Sequence, residues 1–509
     1  MSDPQAESHE LNSPQPSPVA PTAKPRVIPR AEHTVSRSHI SPNALRVLYR
    51  LRDAGFQGFL VGGCVRDLLL GIEPKDFDVA TDALPEQLRR LFRNCRLVGR
   101  RFRLAHVFFG REIIEVATFR AASAPAQGEE PLPDADPEDG EAPELDDPQL
   151  EAEVEAAEAR TTGEGSAPAA LLNEHPERMF DETGRILRDN IYGTIDEDVW
   201  RRDFTANALY YNIADFSIWD YASGIEDIAA RRLRLIGDPE TRFREDPVRM
   251  LRAARFEAKL GFEIERQTAQ PIGELRELLG GVPPARLFDE TLKLFLTGHG
   301  ARSIEVLRRR GLLEILLPNV EAYLAAHPES LVERLMMKGL ANTDARVMAD
   351  RPVTPTFLLA LLLYGPIAQI IESMPQDRWH ELSAILDACD GAVRQAQEHL
   401  AIPKRFSLGL REMFALQPRL EHPRGRRALR LLGHPRFRAG YDLLLLRSEL
   451  GLAPAEIARW WTRLQEVPPE EQGRLADSLA EGSGQPQRPR AGRRRRGGRR
   501  GRRSPSAAS

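Results

Sequence analysis

The stretch from Phe59 to Arg120 constrains the fold of this chain more than any other part. Its apolar run 59–61 stops at Gly62 and Gly63, and the residues that follow have the pattern of a short helix. A strand, two glycines and a helix form a context in which backbone N–H groups approach a phosphate. The glycine pair alone is a weak signal, because most such pairs only make a tight connection.

Two carboxylates follow the glycines. Asp76 and Asp78 flank Phe77 and lead into an apolar run. On a strand, the two-residue period points both carboxylates to one face and Phe77 to the other. Two like charges held so close need a cation between them, and Mg²⁺ prefers oxygen ligands while keeping positions open for water and phosphate. The pattern therefore predicts a magnesium site rather than an ordinary solvated turn.

A third acidic residue, Glu115, lies inside the apolar run "IIEVATF". A strand buries the neighbours of such a residue, so its carboxylate is either paired with a basic residue or directed into a site. Beside Asp76 and Asp78, the second interpretation is favoured.

Several of these motifs recur together in one known family. The chain carries "LVGGCVRDLLLG", "KDFDVAT" and "IEVATFR", followed by "RRDFTANALYY" and "REDPVRMLRAARFEAKLGF". In this order they resemble the class II nucleotidyltransferases, the family of bacterial poly(A) polymerases and tRNA CCA-adding enzymes. The resemblance covers roughly 27–461, and Cys64 departs from the glycine expected in the close poly(A) relatives.

The resemblance implies a catalytic centre and a reaction. Asp76 and Asp78 bind two Mg²⁺ ions, for which Mn²⁺ can substitute, and either Glu115 or Asp203 completes the anionic cluster. The RNA 3′-hydroxyl then attacks the α-phosphorus of ATP, and pyrophosphate leaves. The nucleotide-binding residues expected in the head are Gly62, Gly63, Arg66, Arg202 and Asn207.

A second pair of polar residues is suited to reading a base. Asp246 and Arg249 are three residues apart, on one face of the helix that Pro247 begins. A carboxylate accepts hydrogen bonds and a guanidinium donates them, so the pair matches an exocyclic amine beside a ring-nitrogen acceptor. Adenine and cytosine present that pattern, which favours ATP, and to a lesser degree CTP, over GTP and UTP. The alternative is an ordinary intrahelical ion pair.

The fold class that follows is α+β, with a small mixed-sheet nucleotidyltransferase head followed by an all-helical neck and body. The expected domains are a disordered N-terminal arm (1–38), the head (39–236), a base-recognition neck (237–295), an RNA-binding body (296–470) and a disordered tail (471–509).

Charge is strongly segregated along the chain, although the formal net charge is only −4. The segment of about 121–174 is acidic and poor in large apolar residues, so we expect a disordered insertion. The tail contains ten arginines between Arg488 and Arg503 and no aromatic residue among them. Clustered arginines gain from counterion release on RNA, which predicts sequence-independent binding. The proposed contacts are Arg493, Arg494, Arg495, Arg496, Arg499, Arg500, Arg502 and Arg503.

The compartment is predicted to be cytoplasmic. The spacing of Cys64, Cys95 and Cys389 suits neither a disulfide framework nor a zinc site, which favours a reducing environment. The N-terminus does not have the pattern of a signal peptide, and no membrane-spanning segment is expected.

Two alternatives to a poly(A) polymerase remain at this stage. A tRNA CCA-adding enzyme shares the head and neck motifs. The long N-terminal arm, the "RRFRLAHVFFG" and "LLRDNIYGTIDED" segments and the arginine tail favour the poly(A) branch. A catalytically inactive RNA-binding adaptor is disfavoured because Asp76, Asp78 and Asp203 are all present.

Overall fold

The described part of the chain forms two compact units. The first runs to Glu321 and includes 347–349 and 399–401, and the second holds the remaining residues from Ala322 onward. The predicted insertion of about 121–174, apart from residue 121, and the part of the predicted tail beyond 482 lie outside the described residues. The computed structural model describes residues 24–99, 103–121, 178–180, 186–189 and 192–482.

The first unit is built on a mixed eight-stranded sheet with the order β1-β10-β9-β2-β3-β6-β5-β4. Strands β3 and β6 are parallel, and the other neighbours in this sheet are antiparallel. The predicted mixed-sheet head is therefore confirmed. The strands are β1 (Arg26–Ile28), β2 (Gly58–Val61), β3 (Asp78–Thr81), β4 (Cys95–Val98), β5 (Leu104–Phe109), β6 (Glu112–Thr118), β7 (Arg178–Phe180), β8 (Ile186–Asp189), β9 (Leu209–Asn212), β10 (Ile218–Asp220), β11 (Arg232–Leu233) and β12 (Glu263–Ile264).

Aromatic side chains fill one face of the sheet. The ring of Phe59 lies 6.1 Å from those of Phe119 and Tyr210 and 5.1 Å from that of Trp219. Burial of each large apolar side chain stabilises the fold by roughly 1.5–3 kcal/mol. This packing fixes the strands whose ends carry the polar residues described below.

The N-terminal arm departs from its prediction. Instead of being disordered up to residue 38, the chain joins the sheet at Arg26, where β1 pairs antiparallel with β10. The apolar side chains of Ile28, Val35 and Ile40 are buried. Their burial offsets the entropy cost of ordering the arm. The prediction of disorder rested on the polar composition of the first residues and did not take these apolar side chains into account.

Helices supply the rest of the first unit. Helix α1 illustrates how the local sequence starts a helix. Ser41 Oγ accepts hydrogen bonds from the N–H groups of Asn43 and Ala44, and Pro42 fits the first turn. The helices are α1 (Pro42–Asp53), α2 (Gly63–Leu69), α3 (Pro85–Leu91), α4 (Ile195–Asp198), α5 (Gly224–Ala229), α6 (Pro239–Glu245), α7 (Val248–Leu260), α8 (Arg266–Leu275), α9 (Pro284–Phe295), α10 (Gly300–Arg309) and α11 (Leu313–Leu316).

The neck differs from the prediction in two respects. Strand β12 interrupts the expected helices, because β12 pairs with β11 and buries Ile264. The first unit also extends past the expected boundary at residue 295 to Glu321. Helix α10 packs on α7, where Arg309 Nη2 lies 2.8 Å from Glu257 Oε1. These contacts attach the start of the predicted body to the neck.

The described residues of the second unit are helical, as expected for the body. The tail was predicted to be disordered from 471, but α21 continues to Gly482, with Ala476 buried and Asp477 paired with Arg426 at 3.0 Å. The remaining helices are α12 (Pro318–Ala326, which crosses the unit boundary), α13 (Leu331–Met348), α14 (Pro355–Leu362), α15 (Tyr364–Glu372), α16 (Leu382–Gln397), α17 (Lys404–Glu421), α18 (Leu429–Leu432), α19 (Phe437–Glu449), α20 (Ala455–Glu466) and α21 (Pro469–Gly482).

Within the described ranges, no single helix has the length and apolar character to cross a membrane. The α14–α15 pair meets the length and composition criteria only when its two helices, bent by 47°, are taken together.

Candidate active site

The glycine turn between β2 and α2 brings the predicted head residues together. Gly62 has φ of 80°, a left-handed conformation that favours glycine. A Cβ atom at this position would lie 3.7 Å from Asp78 Oδ2 and 3.9 Å from Arg202 Nη1. A carboxylate and a guanidinium therefore converge on the start of α2, where Gly63 begins the helix.

The two carboxylates of the "DFD" motif lie in different surroundings. Strand β3 begins at Asp78, so Asp76 lies two residues before the strand rather than within it. Phe77 is buried, Asp78 is partly buried and Asp76 is exposed. The parallel register of β3 and β6 aligns Asp78 with Glu115. Of the two candidates for a third carboxylate, Glu115 is the one that is aligned with Asp78 in the sheet.

The pKa of Asp78 is raised by burial and by its acidic neighbours. Burial raises the pKa of its carboxyl to about 6, and the negative charges of Glu115 and Asp76 act in the same direction. Arg202 is the cation that opposes them, by lowering the pKa of Asp78. Burial is thus the main reason for the raised pKa, and the neighbouring charges act on it in both directions.

Glu115 has a second neighbour on its other side. His106, its partner in the antiparallel register of β5 and β6, places Nε2 3.6 Å from Glu115 Oε1. The Glu115 side chain is about half exposed, at 49%. Glu115 therefore both approaches a basic residue and lies beside Asp78, so the two sequence interpretations are not exclusive.

The donor set fits a hard divalent cation. The site offers carboxylate oxygens, and a bound cation would favour the ionised form of Asp78, which burial and the charges of Glu115 and Asp76 disfavour. Among the described residues, no group of three or more His, Cys, Asp or Glu side chains is arranged to hold a metal ion. Mg²⁺ usually binds one or two protein carboxylates and takes its other ligands from water and substrate phosphates. Asp76 and Asp78 match that mode.

Arg202 is held by two residues that the sequence did not single out. Its Nε donates to Tyr210 Oη at 2.7 Å and its Nη2 to Asp198 Oδ2 at 3.0 Å. Tyr210 Oη in turn donates to Asp198 Oδ2 at 2.8 Å. The sequence does contain a signal for Tyr210, because a tyrosine in an apolar strand is expected to be buried and its hydroxyl then needs a hydrogen-bond partner.

The predicted Arg66 and Asn207 belong to a polar network behind the turn. Arg66 is buried; its Nε and Nη2 donate to Asp67 Oδ1 at 2.9 and 2.6 Å, and its Nη1 donates to Asn207 Oδ1. Asn207 Nδ2 donates onward to Asp203 Oδ1 at 3.3 Å. The guanidinium of Arg66 is thus directed to protein partners, and a phosphate contact for it stays a prediction.

Asp203 is enclosed by cationic and N–H donors. Arg252 Nη2 lies 2.6 Å from its Oδ2, and the Phe204 N–H donates to its Oδ1 at 2.7 Å. Burial would raise the pKa of Asp203, but these partners hold it at about 2. A 3₁₀ turn at Thr205–Asn207 follows Asp203, and the chain then enters β9.

Asp246 and Arg249 lie close in sequence but have different partners. Helix α6 ends at Glu245, and Arg249 Nη1 donates to Glu245 Oε2 at 3.1 Å. Asp246 Oδ2 instead accepts from Arg286 Nη2 at 2.7 Å. Their predicted role in reading the base stays a prediction.

Arg242 joins this part of the neck to the head. Its Nη2 donates to the backbone carbonyls of Arg201 and Arg202, at 3.0 and 2.7 Å. Its own carbonyl accepts from Arg249 Nη1 at 2.7 Å. Arg242 therefore links Arg249, a predicted base-reading residue, to the backbone of Arg202, a predicted phosphate-binding residue. The arginines predicted to bind RNA, from Arg493 onward, lie outside the described residues.

Three family models match the chain. They are the poly A polymerase head domain (58–234), the probable RNA and SrmB-binding site of polymerase A (261–324) and the polymerase A arginine-rich C-terminus (377–500). A solved structure titled "tRNA-processing enzyme (apo form I)" has the same fold, with a TM-score of 0.50 and 20% identity, over 88% of this chain and 98% of that one.

Curated relatives extend the likeness to most of the sequence. Poly(A) polymerase I of Haemophilus influenzae is 42% identical over 86% of this chain and 88% of its own. A CCA-adding enzyme of Lactobacillus helveticus is 31% identical over 52% of each chain. Poly(A) polymerase I of Escherichia coli O6:H1 is 44% identical over 89% of each chain. By this similarity along most of its length, the chain belongs to the poly(A) polymerase family of nucleotidyltransferases.

Proposed function

We propose that the chain is a template-independent poly(A) polymerase that adds AMP from ATP to RNA 3′ ends and releases pyrophosphate. The observation that carries the proposal is the convergence of Asp78 and Arg202 on the glycine turn at Gly62, with Glu115 aligned with Asp78 in the sheet. Acidic groups for a cation and a guanidinium for phosphate thus meet at the start of a helix. The family membership agrees with this chemistry.

Asp76 and Asp78 would hold the divalent cation, Mg²⁺ or Mn²⁺, with Glu115 adding negative charge beside them. Such a cation, when bound, lowers the pKa of the RNA 3′-hydroxyl and neutralises charge on the triphosphate. Asp203 is the other candidate for a third carboxylate. Its ion pair with Arg252 supports a bracing role instead.

The chain's own residues would orient the triphosphate. Arg202 supplies positive charge beside Asp78, and Gly62 and Gly63 leave room for a phosphate to approach the backbone. The bond that forms joins the RNA 3′-oxygen to the α-phosphorus. The bond that breaks joins that phosphorus to the oxygen bridging to the β-phosphate, so pyrophosphate departs.

Base selection is assigned to the neck. Asp246 and Arg249 present an acceptor and a donor, which match the exocyclic amine and ring nitrogen of adenine. Both side chains are fixed by neighbours, Asp246 by Arg286 and Arg249 by Glu245. Fixed polar groups reject a mismatched base, because its own polar groups would be left unpaired.

RNA is the second substrate in this proposal. The 261–324 region matches a family model of a probable RNA-binding site, and the arginine-rich tail supplies positive charge for the RNA backbone. Contacts of this kind do not depend on base sequence. A cytoplasmic location, predicted from the cysteine pattern, completes the proposal.

The test is extension of two purified RNAs, an unstructured oligonucleotide and a tRNA lacking its 3′-terminal CCA, with each NTP separately and with Mg²⁺. A matched reaction omits the metal. We expect long A tracts on both RNAs with ATP and little incorporation of CTP. Addition that stops after CCA, on the tRNA alone, would assign the chain to CCA synthesis instead. No incorporation on either RNA would support the inactive adaptor.

A further inference from the structure

The side chains of Arg202, Asp198 and Tyr210 form a closed ring of three hydrogen bonds. Two of the donors are Nε and Nη2 of the guanidinium, and the third is the tyrosine hydroxyl. The remaining terminal nitrogen, Nη1, is the one that lies toward Gly62 and Asp78. The ring therefore fixes the two donors that face away from the proposed triphosphate site and directs the third toward it.

Both partners of Arg202 are anchored in rigid parts of the head. Tyr210 is fully buried in β9, where the antiparallel register pairs it with Val61, the residue before the glycine turn. Asp198 is buried at the end of α4, and its Oδ1 accepts from the Arg120 N–H at 3.2 Å. The glycine turn and the guanidinium are thus placed by the same pair of strands.

The Tyr210 ring adds a third contact. The guanidinium carbon of Arg202 lies 4.9 Å from the ring centroid, within the range of a cation–π interaction. Burial raises the pKa of the Tyr210 hydroxyl well above its ordinary value, so the phenol stays neutral and keeps the proton that it donates to Asp198. Burial alone would lower the pKa of Arg202, but Tyr210 and Asp198 hold it above its ordinary value.

We propose that Asp198 and Tyr210 are positioning residues that aim Arg202 at the triphosphate of ATP. This inference rests on the proposed function, in which Arg202 binds phosphate. Neither residue touches the nucleotide; both restrict the rotation of a side chain that does. A long guanidinium left free would lose rotamer entropy on each binding event, and the ring removes that cost before ATP arrives.

The test is a double-mutant cycle on the affinity for ATP, measured by equilibrium dialysis of ATP with Mg²⁺ on the full chain. Tyr210→Phe removes one hydroxyl and keeps the buried ring. We expect it to weaken ATP binding about fivefold, and Arg202→Ala about 20-fold, from the worth of hydrogen bonds to charged groups. The double variant should bind ATP no more weakly than Arg202→Ala alone, since the hydroxyl acts through Arg202.

The adjacent tyrosine is a matched control. Tyr211 is also fully buried in β9, but its hydroxyl has no hydrogen-bond partner among the described residues. Tyr211→Phe should leave the affinity for ATP unchanged. Asp198→Asn, which retains an acceptor but loses the charge, should lie between the wild type and Arg202→Ala.

Different outcomes separate this inference from the proposed function. If the effects of Tyr210→Phe and Arg202→Ala on ATP affinity multiply in the double variant, Tyr210 acts independently of Arg202 and the positioning role is overturned. If the double variant binds ATP as Arg202→Ala does but the wild type does not extend RNA, the positioning role is supported and the proposed polymerase activity is refuted. A wild type that does not bind ATP would refute both.

Discussion

Two carboxylates of the head, Asp78 and Asp203, lie in opposite electrostatic surroundings. Asp78 has Glu115 aligned with it in the sheet, and its pKa is raised to about 6 by burial and by the negative charges of Glu115 and Asp76. Asp203 is paired with Arg252, and its pKa is held at about 2. An uncompensated carboxylate attracts a cation, whereas a compensated one braces the structure. We infer from this difference that Asp78 belongs to the cation site and that Asp203, which the motifs could not rank against Glu115 as the third carboxylate, has a bracing role.

The bracing role extends from Asp203 in both directions. Asn207 connects it to Arg66, and Arg252 connects it to helix α7 of the neck. The result is a continuous polar network from the back of the glycine turn to the neck. We infer that the network keeps the head and the base-reading helix in register within the first unit.

The largest expected effect falls on the Asp78 side. Asp78→Asn should lower kcat for AMP addition by about 10³-fold or more, because the cation loses a ligand and several kcal/mol of transition-state stabilisation. The variant should not be less stable. Asp78 has a raised pKa in the folded state, so its ionised form opposes folding above pH 6, and a neutral amide relieves that cost.

Steady-state kinetics and thermal unfolding at pH 7 check this prediction. Asp82→Asn is a suitable control, since Asp82 is exposed directly after β3 and accepts a hydrogen bond from the Gln57 N–H. An Asp78→Asn enzyme with near-normal kcat would remove Asp78 from the proposed site.

The next effect falls on stability at the Asp203 side. Asp203→Asn should lower the free energy of unfolding by about 3 kcal/mol at pH 7, because Arg252 loses its buried partner. A depressed pKa stabilises the fold above the unfolded value of about 4, and this stabilisation is lost as pH falls toward 2. The difference between wild type and variant should therefore shrink over that window, by about 2 kcal/mol.

Urea unfolding of the first unit, followed across that pH range, makes this measurement. Asp82→Asn is again the control, because Asp82 is exposed and accepts a hydrogen bond from the Gln57 N–H rather than from an arginine. A constant difference between wild type and Asp203→Asn at all pH values would show that the ionised carboxylate is not what stabilises the fold.

The smallest effect is expected at Glu115. Glu115→Gln removes one of the negative charges that raise the pKa of Asp78, so the site should attract a cation less strongly. We expect the Mg²⁺ concentration for half-maximal activity to rise about tenfold, as is typical for a group beside the ligands. Titration of activity with Mg²⁺ checks this. An unchanged Mg²⁺ requirement would leave Glu115 without a part in the metal site.

Local patterns in the sequence were sufficient for much of this account. The mixed-sheet head and helical body followed from apolar periodicity, and the glycine turn followed from Gly62 and Gly63. The parallel alignment of Asp78 with Glu115 agrees with the grouping of these carboxylates in one site. Such features depend on residues that are close in sequence or that belong to a repeated motif.

Ion-pair partners that are distant along the chain could not be predicted from the sequence. Arg252 is 49 residues from Asp203, and Arg286 is 40 residues from Asp246, so no local period connects either pair. The order of the N-terminal arm has the same cause, because β1 pairs with β10, which lies far along the chain. Tertiary packing, rather than local propensity, decides these positions.

The central claim is that Asp78, rather than Asp203, holds the catalytic cation. Electron paramagnetic resonance can count Mn²⁺ bound to the full chain in the presence of a non-hydrolysable ATP analogue, for the wild type, Asp78→Asn and Asp203→Asn at pH 7. We predict that Asp78→Asn loses bound Mn²⁺ while folded Asp203→Asn retains the wild-type amount. Loss of Mn²⁺ from Asp203→Asn with retention by Asp78→Asn would contradict the account.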